Sequence, residues 1–379
     1  MIYLDNAATS FPKPEKILSE TCRAIFSPLG NPGRSGHPCS RRSEDMIFFT
    51  REMIARLLGT KTEKVVLTSG ATTALNLALC GVVEEMGKRG RLPYVVTTVF
   101  EHNSVLRPLF LLEKRGKIRL NLLSPAKDGL FSPEILFRFP PDVLVITLRS
   151  NVTGRDFALP AFAARLAKKG TLIIGDGAQA VGTCDTSFQK TGVHILCAPG
   201  HKGLFGIMGA GFLAFSENCP VLPEPIITGG TGGNTFDPMM PSLLPERLEA
   251  GTLAVPAVFS MGLGAEFVME TGLSVIAAKE RMLKKILVEN LFSLPDFILY
   301  EPNFADGPLL VNHKKIPSEE SASLLSEKGL FVRGGFHCAP LAHRYLGTEI
   351  SGALRLSPGF FNTKEEIFEA LNILESIRK

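Results

Sequence analysis

Short apolar runs alternate with turns and helical stretches between residues 65 and 215 of this 379-residue chain. The runs are Val65–Leu67, Tyr94–Val99, Ile118–Leu123, Val143–Leu148, Thr171–Ile174, Val193–Cys197 and Gly211–Phe215. Strands that alternate with helices in this way are typical of an α/β fold with a mostly parallel sheet. The alternation therefore predicts that fold, and with it the place where a ligand binds.

Polar residues follow most of these predicted strands at the point where the strand ends. They are Ser69–Thr73, His102, Asn151, Asp176 with Gln179, and His201 with Lys202. In open α/β sheets, ligands bind beyond the carboxyl ends of the strands. We therefore expect these side chains to converge on one cleft.

The Ser69–Thr73 segment offers what a phosphate group needs. It opens a predicted helix, so it brings free backbone N–H groups, hydroxyls and the positive end of a helix dipole. Helix capping by Ser69 or Thr72 explains the same residues equally well when the segment is taken alone.

Asp176 and Lys202 add the groups that would hold the rest of a cofactor. Lys202 lies in the glycine-rich stretch LCAPGHKGLFGIMGAG, whose glycines allow the backbone to approach a ligand closely. Pyridoxal 5′-phosphate requires a lysine that forms a Schiff base with its aldehyde and a carboxylate that holds its protonated ring nitrogen. Taken singly, Lys202 would be a solvated loop lysine and Asp176 a turn or cap residue. Together with the phosphate segment, they predict this cofactor.

Composition and charge narrow the classes of protein. The formal net charge is +4 and the basic residues form no dense run, so nucleic acid is not an expected partner. Seven cysteines, scattered and odd in number, indicate thiols in a reducing compartment rather than a disulfide framework. The N-terminus MIYLDNAATS does not resemble a secretion signal, and the longest uncharged run, Ala250–Ala265, is too short to span a bilayer. We therefore expect a cytoplasmic enzyme without a membrane partner.

Nine segments of the chain match a known family in the family's own order. They are YLDNAATSFPKPE, SGATTALN, EHNS, SNVTG, GDGAQA, GHKG, EAGT, RGGFHCAP and ALRLSPGFFNT. With them the chain resembles the fold-type I pyridoxal phosphate enzymes of the class V aminotransferase group, and among these the cysteine desulfurases and selenocysteine lyases with a short Cys loop. The resemblance implies the aspartate aminotransferase-like fold, with a large cofactor-binding domain at residues 14–255. Residues 1–13 with 256–379 would form a smaller α/β domain that carries the Cys loop.

The resemblance also assigns the cofactor-binding residues. Lys202 corresponds to the Schiff-base lysine, Asp176 to the partner of the ring nitrogen, and His102 to the residue that stacks on the ring and assists proton transfer. The remaining cofactor residues would be Ala71, Thr72, Thr73 and His201 around the phosphate, Gln179 at the phenolic oxygen, and Asn151 near the ring and the substrate. Thr252 resembles the residue that reaches the phosphate of a neighbouring subunit, which implies a homodimer with shared active sites. The resemblance implies no metal ligand.

Cys338 carries the sulfur chemistry that the resemblance implies. Its thiolate would attack the sulfur of L-cysteine, leaving a persulfide on Cys338 and L-alanine as the product, and selenocysteine would react similarly. A reactive thiolate needs partial exposure and nearby positive charge, which Arg333 and Arg355 would supply; the alternative for any lone cysteine is a buried apolar residue. Arg355 would hold the substrate carboxylate, with Arg333 also at the substrate. A sulfur-acceptor protein is a candidate partner.

Three departures from the family pattern leave the substrate open, one of which is Ile207 in place of a common proline in the glycine-rich run. Pro199 stands where many members have a serine that contacts the phosphate, and Phe336 replaces a histidine often found in the Cys loop. The alternatives are a class V aminotransferase or a C–S β-lyase in which Cys338 is not catalytic, and a non-enzymatic scaffold without a cofactor. The sequence does not separate cysteine from selenocysteine or cystine, nor does it identify the acceptor.

Overall fold

Strands and helices alternate along the chain in a computed structural model that describes residues 1–33, 36–88, 90–125, 134–157, 159–233 and 236–377. The strands are β1 Ile2–Tyr3, β2 Val65–Thr68, β3 Tyr94–Thr98, β4 Arg119–Leu123, β5 Val143–Thr147, β6 Leu172–Asp176, β7 Ile195–Pro199, β8 Gly211–Phe215, β9 Phe297–Tyr300, β10 Leu309–His313, β11 Leu330–Phe331 and β12 Leu354–Leu356. The helices are α1 Glu15–Phe26, α2 Pro38–Leu58, α3 Ala71–Gly87, α4 Asn103–Lys114, α5 Glu134–Arg138, α6 Pro160–Ala167, α7 Phe188–Thr191, α8 Val255–Thr271, α9 Leu273–Leu291, α10 Ser318–Glu327, α11 Pro340–Tyr345 and α12 Lys364–Glu375.

A seven-stranded sheet forms the centre of the fold, with the strand order β2-β8-β7-β6-β5-β3-β4. The strands β3 to β7 run parallel, whereas β8 is antiparallel to both β7 and β2. This arrangement confirms the predicted α/β fold with a mostly parallel sheet. The carboxyl ends of β5, β6 and β7 meet at one edge, where Asp176 lies opposite Thr147 on one side and Cys197 on the other.

Both faces of this sheet are buried except at the edge strand β4, which explains why the inner strands are largely apolar. Alternate residues of one strand point to opposite faces and join different cores. In β6, for example, Ile173 belongs to one core and Ile174 to the other. Helices α2 and α8 pack together on the first face, and α3 and α4 pack together on the second. These two helical layers hold the sheet in place, and with it the edge at which the polar residues lie.

The C-terminal part of the chain builds a smaller antiparallel sheet, with the strand order β12-β10-β9. The N-terminal strand joins this part, because β1 pairs in parallel with β11 and Ile2 lies opposite Leu330. Helices α9 and α12 pack against each other over a third core that includes Leu287 and Leu374. The division into residues 14–255 and residues 1–13 with 256–379 stays a prediction.

The residue pattern predicts a helix over residues 15–26 after Pro14, a Gly- and Pro-rich loop over 27–40, a helix over 42–58 and a helical region over 258–292. The last two differ in the structure. Helix α2 begins at Pro38 instead of Arg42, because His37 caps it and its Nδ1 accepts the Ser40 N–H at 3.2 Å. The predicted loop over residues 27–40 is shorter as a result, and its positions 34 and 35 lie outside the described residues. The predicted helical region 258–292 is two helices, because the chain bends by 85° at Gly272, whose φ of 88° favours glycine.

Helices α8 and α9 together have the length and composition of a membrane span, but the bend at Gly272 divides them. No single helix among the described residues is long and apolar enough to cross a membrane. Much of α8 is instead buried in the core, where it packs against α2.

Candidate active site

A cavity of ≈ 360 Å³ lies at the edge of the sheet where the parallel strands end. Its walls contain all the predicted cofactor residues apart from Thr252, namely Ala71, Thr72, Thr73, His102, Asn151, Asp176, Gln179, His201 and Lys202. This volume is within the range of small-molecule sites, about 300–1,000 Å³. The structure therefore brings together residues that are far apart in the sequence, in the cleft that the strand pattern predicts.

Asp176 and Lys202 lie at the carboxyl ends of neighbouring strands, and burial shifts their pKa values in opposite directions. Asp176 is 3% exposed at the end of β6, and its Oδ1 accepts the Ala178 N–H at 2.9 Å. Burial raises the pKa of Asp176, and the backbone N–H and the charge of Lys202 oppose that rise. Burial, together with the charge of Arg355, lowers the pKa of Lys202 to about 8. A larger fraction of the Lys202 amine is therefore neutral near pH 7, as a nucleophile or a general base requires.

The turn that carries Lys202 is fixed by the N-terminal segment of the chain. The carbonyl oxygen of His201 accepts the Ser10 N–H at 3.1 Å and the Thr9 hydroxyl at 3.0 Å. The glycine after Lys202 is required by space, since a Cβ atom at Gly203 would lie 2.2 Å from the carbonyl oxygen of Val181. The N-terminal YLDNAATS motif and the GHKG motif therefore contact each other, and this contact positions Lys202.

The start of α3 lines one end of the cavity and presents backbone N–H groups there. Its N-cap residue, Gly70, offers no side chain, and the first-turn N–H groups have no partner inside the helix. Nearby, His201 Nδ1 is buried without a hydrogen-bond partner among the described residues. Pro199 lines the same cavity and contributes no N–H. These groups suit a phosphate even though Pro199 replaces a residue that could donate a hydrogen bond.

His102 is neutral at neutral pH, and its tautomer follows from its contacts. It caps α4, and its Nδ1 accepts the Ser104 N–H at 3.0 Å. The ring proton must therefore lie on Nε2. Burial and the charge of Lys202 lower the pKa of His102 to about 4. The Ser104 hydroxyl lies 2.8 Å from His102 Nδ1 and 2.9 Å from the Thr72 hydroxyl, so the capping histidine and the start of α3 are connected.

The Cys loop, Gly334–Ala339, connects β11 to α11 and exposes the thiol-bearing residue Cys338. His337 and Cys338 have positive φ values of 49° and 56°, each costing about 1–3 kcal/mol for a residue with a side chain. The loop contacts the edge of the cavity, since Asn103 N–H donates to Cys338 O at 2.8 Å. Asn151 Nδ2 donates to His337 O at 2.7 Å, a contact that its predicted role near the ring does not anticipate.

The guanidinium group of Arg355 is held by contacts within the protein. It is 2% exposed, and its Nη2 forms a salt bridge with Asp5 Oδ1 at 2.7 Å while Nη1 donates to Asn151 O at 3.1 Å. Its Nε is buried without a hydrogen-bond partner among the described residues. Arg333 pairs with Arg355 through the backbone. The pKa values of Lys202 and His102 are lowered mainly by burial, and the charge of Arg333 makes a smaller contribution in the same direction. Sequence reasoning missed Asp5, although the YLDNAATS motif contains it.

A family model described as Aminotransferase class-V matches residues 2–369. The chain belongs to this family. A probable cysteine desulfurase of Pyrococcus abyssi is 29% identical over 391 residues, which cover 100% of this chain and 94% of that protein. A cysteine desulfurase of Klebsiella pneumoniae is 28% identical, with coverage of 100% and 94%. The apo structure of a cysteine desulfurase from Thermococcus onnurineus NA1 superposes with a TM-score of 0.90 at 25% identity, covering 99% of this chain and 94% of that one.

Class-V family enzymes use pyridoxal 5′-phosphate, and the cavity fits that group at both ends. The free N–H groups at the start of α3 and the unpartnered Nδ1 of His201 suit the phosphate. Asp176 suits the protonated ring nitrogen, because burial makes its negative charge costly and a cationic group beside it would reduce that cost. Gln179 lines the cavity, and its Nε2 already donates to Ala7 O at 2.8 Å.

Thr252, the one predicted cofactor residue outside this cavity, lies exposed on the surface just before α8. It follows Gly251, which lines a second cavity of ≈ 350 Å³ together with Arg51 and Glu249. Arg51 and Glu249 form a two-pronged, largely buried ion pair that fixes this region. An exposed position on a rigid base is compatible with contact to a second subunit, which stays a prediction.

Glu101 is a buried carboxyl group that sequence reasoning missed within the EHNS motif. Its Oε1 accepts the Thr98 hydroxyl at 2.7 Å and the Thr147 N–H at 3.0 Å, and its Oε2 is buried without a partner among the described residues. Burial raises the pKa of Glu101 to about 8, and the charge of Asp176 adds to this rise. Glu101 is therefore largely protonated at neutral pH, next to the carboxylate predicted to hold the cofactor.

Replacing Glu101 by glutamine is expected to stabilise the protein above about pH 5 and to leave it unchanged near pH 4. The folded-state pKa of about 8 exceeds the ordinary value of 4.5, so the stability that protonated Glu101 provides is complete below 4.5 and is lost as pH rises through 8. Glutamine resembles the protonated form, so the gain in unfolding free energy should reach the order of a few kcal/mol at pH 8. Urea unfolding at both pH values measures it, and Glu369→Gln, on the exposed side of α12, is the control. Equal stability of Glu101→Gln and wild type at pH 8 would contradict the expectation.

Proposed function

We propose that this class-V family protein is a pyridoxal phosphate-dependent cysteine desulfurase. It would remove sulfur from L-cysteine to give L-alanine and a persulfide on Cys338, and it would act similarly on selenocysteine. The observation that carries the proposal is the position of the exposed Cys338. Its carbonyl accepts a hydrogen bond from the N–H of Asn103, and the preceding residue, His102, lines the same cavity as Lys202 and Asp176. The names of the relatives and of the similar structure support it.

The residues that would hold the cofactor have separate tasks. The start of α3 and His201 would bind the phosphate, Asp176 would hold the protonated ring nitrogen, and the neutral His102, which lines the same cavity, would contact the cofactor ring. When bound, pyridoxal phosphate supplies an electron sink for the pair left behind as the substrate loses its Cα proton. The unpartnered Nε of Arg355, with Arg333 close by, would bind the substrate carboxylate.

Protons and sulfur are moved by two side chains. Lys202 Nζ, with a pKa lowered to about 8, takes the Cα proton. The Cys338 thiolate then attacks the substrate sulfur, so that an S–S bond forms as the Cβ–S bond breaks. The electrons of the broken bond remain with the carbon skeleton, which takes up a proton at Cβ. Cysteine and a thiol thus become alanine and a persulfide, and no external oxidant is needed.

The assembly and the location are part of the same proposal. We propose a homodimer in which Thr252 of one subunit reaches the phosphate bound by its neighbour, supported by its exposed position outside the chain's own cavity. The cysteines among the described residues form no disulfide, which favours a reducing compartment such as the cytoplasm. A sulfur-acceptor protein would then take the persulfide sulfur from the exposed loop.

Product analysis separates this function from its alternatives. The purified protein is incubated with L-cysteine or L-selenocysteine in the presence of dithiothreitol, and with L-cystine in its absence because dithiothreitol reduces cystine to cysteine. The carbon and sulfur products are then quantified. We expect alanine and sulfide in equal amounts from cysteine, because sulfur leaves while the amino group stays. Pyruvate with ammonia would instead indicate a β-lyase, and a keto acid formed only with an amino acceptor would indicate an aminotransferase. Either result would refute the desulfurase proposal.

A further inference from the structure

The Cys loop adopts a conformation that two of its own residues disfavour. His337 and Cys338 have consecutive left-handed backbone angles, with φ of 49° and 56°. Residues with side chains seldom occupy this region unless the surrounding structure holds them there. Contacts from outside these two residues must therefore stabilise the peptide units that carry the thiol.

Two donors at the edge of the large sheet contact those peptide units. The N–H of Asn103, the first residue of α4, donates to Cys338 O at 2.8 Å, and Asn151 Nδ2 donates to His337 O at 2.7 Å. Both donors are held firmly. Asn103 follows His102, the N-cap residue of α4. Asn151 is buried, and its backbone carbonyl accepts a hydrogen bond from Arg355 Nη1. The two consecutive carbonyls of the loop are thus each bound by a fixed N–H group.

The opposite side of the loop is fastened to the smaller sheet. The ring of buried His337 contacts Ala353 O through Nε2 at 3.0 Å, and the Ala353 N–H donates to Gly335 O at 3.0 Å. The loop is therefore anchored to the smaller sheet by the His337 ring and the Gly335 carbonyl, and to the edge of the large sheet by the carbonyls of His337 and Cys338. Loss of the contacts to the His337 and Cys338 carbonyls would leave the anchors to the smaller sheet in place and would remove the hydrogen bonds that hold the peptide units on either side of Cys338.

We propose that Asn103 and Asn151 are positioning residues for Cys338. By binding the carbonyls of Cys338 and His337, they hold the left-handed loop conformation and fix the thiol beside the cavity lined by His102 and Asn151. The consequence for turnover rests on the proposed desulfurase function, but the clamp itself does not. Asn151 thereby has a structural task in addition to its predicted place near the ring.

Asn103→Pro tests the clamp without altering the cavity lining. Proline lacks the N–H that binds Cys338 O but is well tolerated at the first position of a helix, and the preceding His102, with ψ of 156°, already has the backbone that proline requires. We expect hydrogen exchange of the Ala339 amide, which donates to Phe336 O at 3.1 Å, to become about three- to tenfold faster. The kcat for alanine formation should fall about tenfold or more, with KM and the visible absorption of the cofactor unchanged.

Lys364→Pro is the matched control, since Lys364 is the first residue of α12 and also follows an extended residue, Thr363, with ψ of 165°. It should leave loop exchange and kcat at wild-type values. Asn151→Asp, which removes the other donor, should accelerate loop exchange in the same direction. Wild-type loop exchange in both Asn103→Pro and Asn151→Asp would overturn the proposal. If the wild type forms no alanine, the desulfurase function fails, while the exchange measurement still decides the clamp.

Discussion

Replacing Cys338 by alanine is expected to lower the rate of alanine formation from L-cysteine by about a thousandfold or more, because the variant lacks the atom that accepts the sulfur. Cys338 is exposed, and other residues line the cavity that would hold the cofactor. The visible absorption band of the purified protein should therefore be unchanged. Alanine production and the mass of the peptide that contains Cys338, with and without substrate, measure the loss of turnover and of the persulfide.

Cys22→Ala is the matched control for this substitution. Cys22 is also exposed, but it lies on α1 and has no place in the cavity. It should retain wild-type alanine production. If the Cys338→Ala protein still released sulfide from cysteine at an undiminished rate with dithiothreitol present, Cys338 would be incidental and a β-lyase would be the better description.

The fold was predictable where local pattern and topology agree. Helix α1 has the bounds predicted for the helical stretch that follows Pro14, and β8 likewise has its predicted bounds. The start of α2 was not predictable, because histidine is an uncommon N-cap residue and His37 lies within a Gly- and Pro-rich stretch. The break at Gly272 was missed because a single glycine within an apolar helical pattern does not by itself end a helix.

The candidate site was predictable as a set of residues but not as a network of contacts. Parallel strands place their ends at one edge, so the convergence of Asp176 and Lys202 follows from the strand pattern. The salt bridge between Asp5 and Arg355 joins residues 350 positions apart, and the hydrogen bond from the Asn151 side chain to the His337 carbonyl joins residues 186 positions apart. Such pairs depend on how the two parts of the chain pack, which no local spacing encodes. The distant contacts are also what brings the Cys loop to the cavity.

Replacing Lys202 by alanine is expected to abolish turnover, with a loss of about ten thousandfold or more, since one residue supplies both the covalent attachment and the base. Its lowered pKa of about 8 makes the amine available for both tasks near neutral pH. The variant should also lose the visible absorption band of lysine-bound cofactor. Spectra and alanine production of the same preparations test the two roles together.

Two further variants separate the amine of Lys202 from its charge and its burial. Lys202→Arg keeps a positive charge, but guanidinium stays protonated and cannot act as nucleophile or base, so it should be as inactive as alanine. Lys13→Ala removes a lysine whose pKa burial also lowers to about 8 but which does not line the cavity, and it should keep the band. An absorption band that persists in Lys202→Ala, together with substantial turnover, would show that another group performs this chemistry.

Mixed dimers extend the Lys202 experiment to the proposed sharing of active sites. Thr252→Ala should weaken cofactor binding about tenfold or more by removing a hydrogen bond to a charged group. If Thr252 serves the neighbouring subunit, a heterodimer of Lys202→Ala and Thr252→Ala chains contains one site in which both residues are intact and one in which both are missing. Such heterodimers, co-expressed with two tags and purified through both, should recover about half of the wild-type activity at limiting cofactor. If Thr252 serves its own chain, one site lacks Lys202 and the other lacks Thr252, so the heterodimer would show only half the activity of the Thr252→Ala protein.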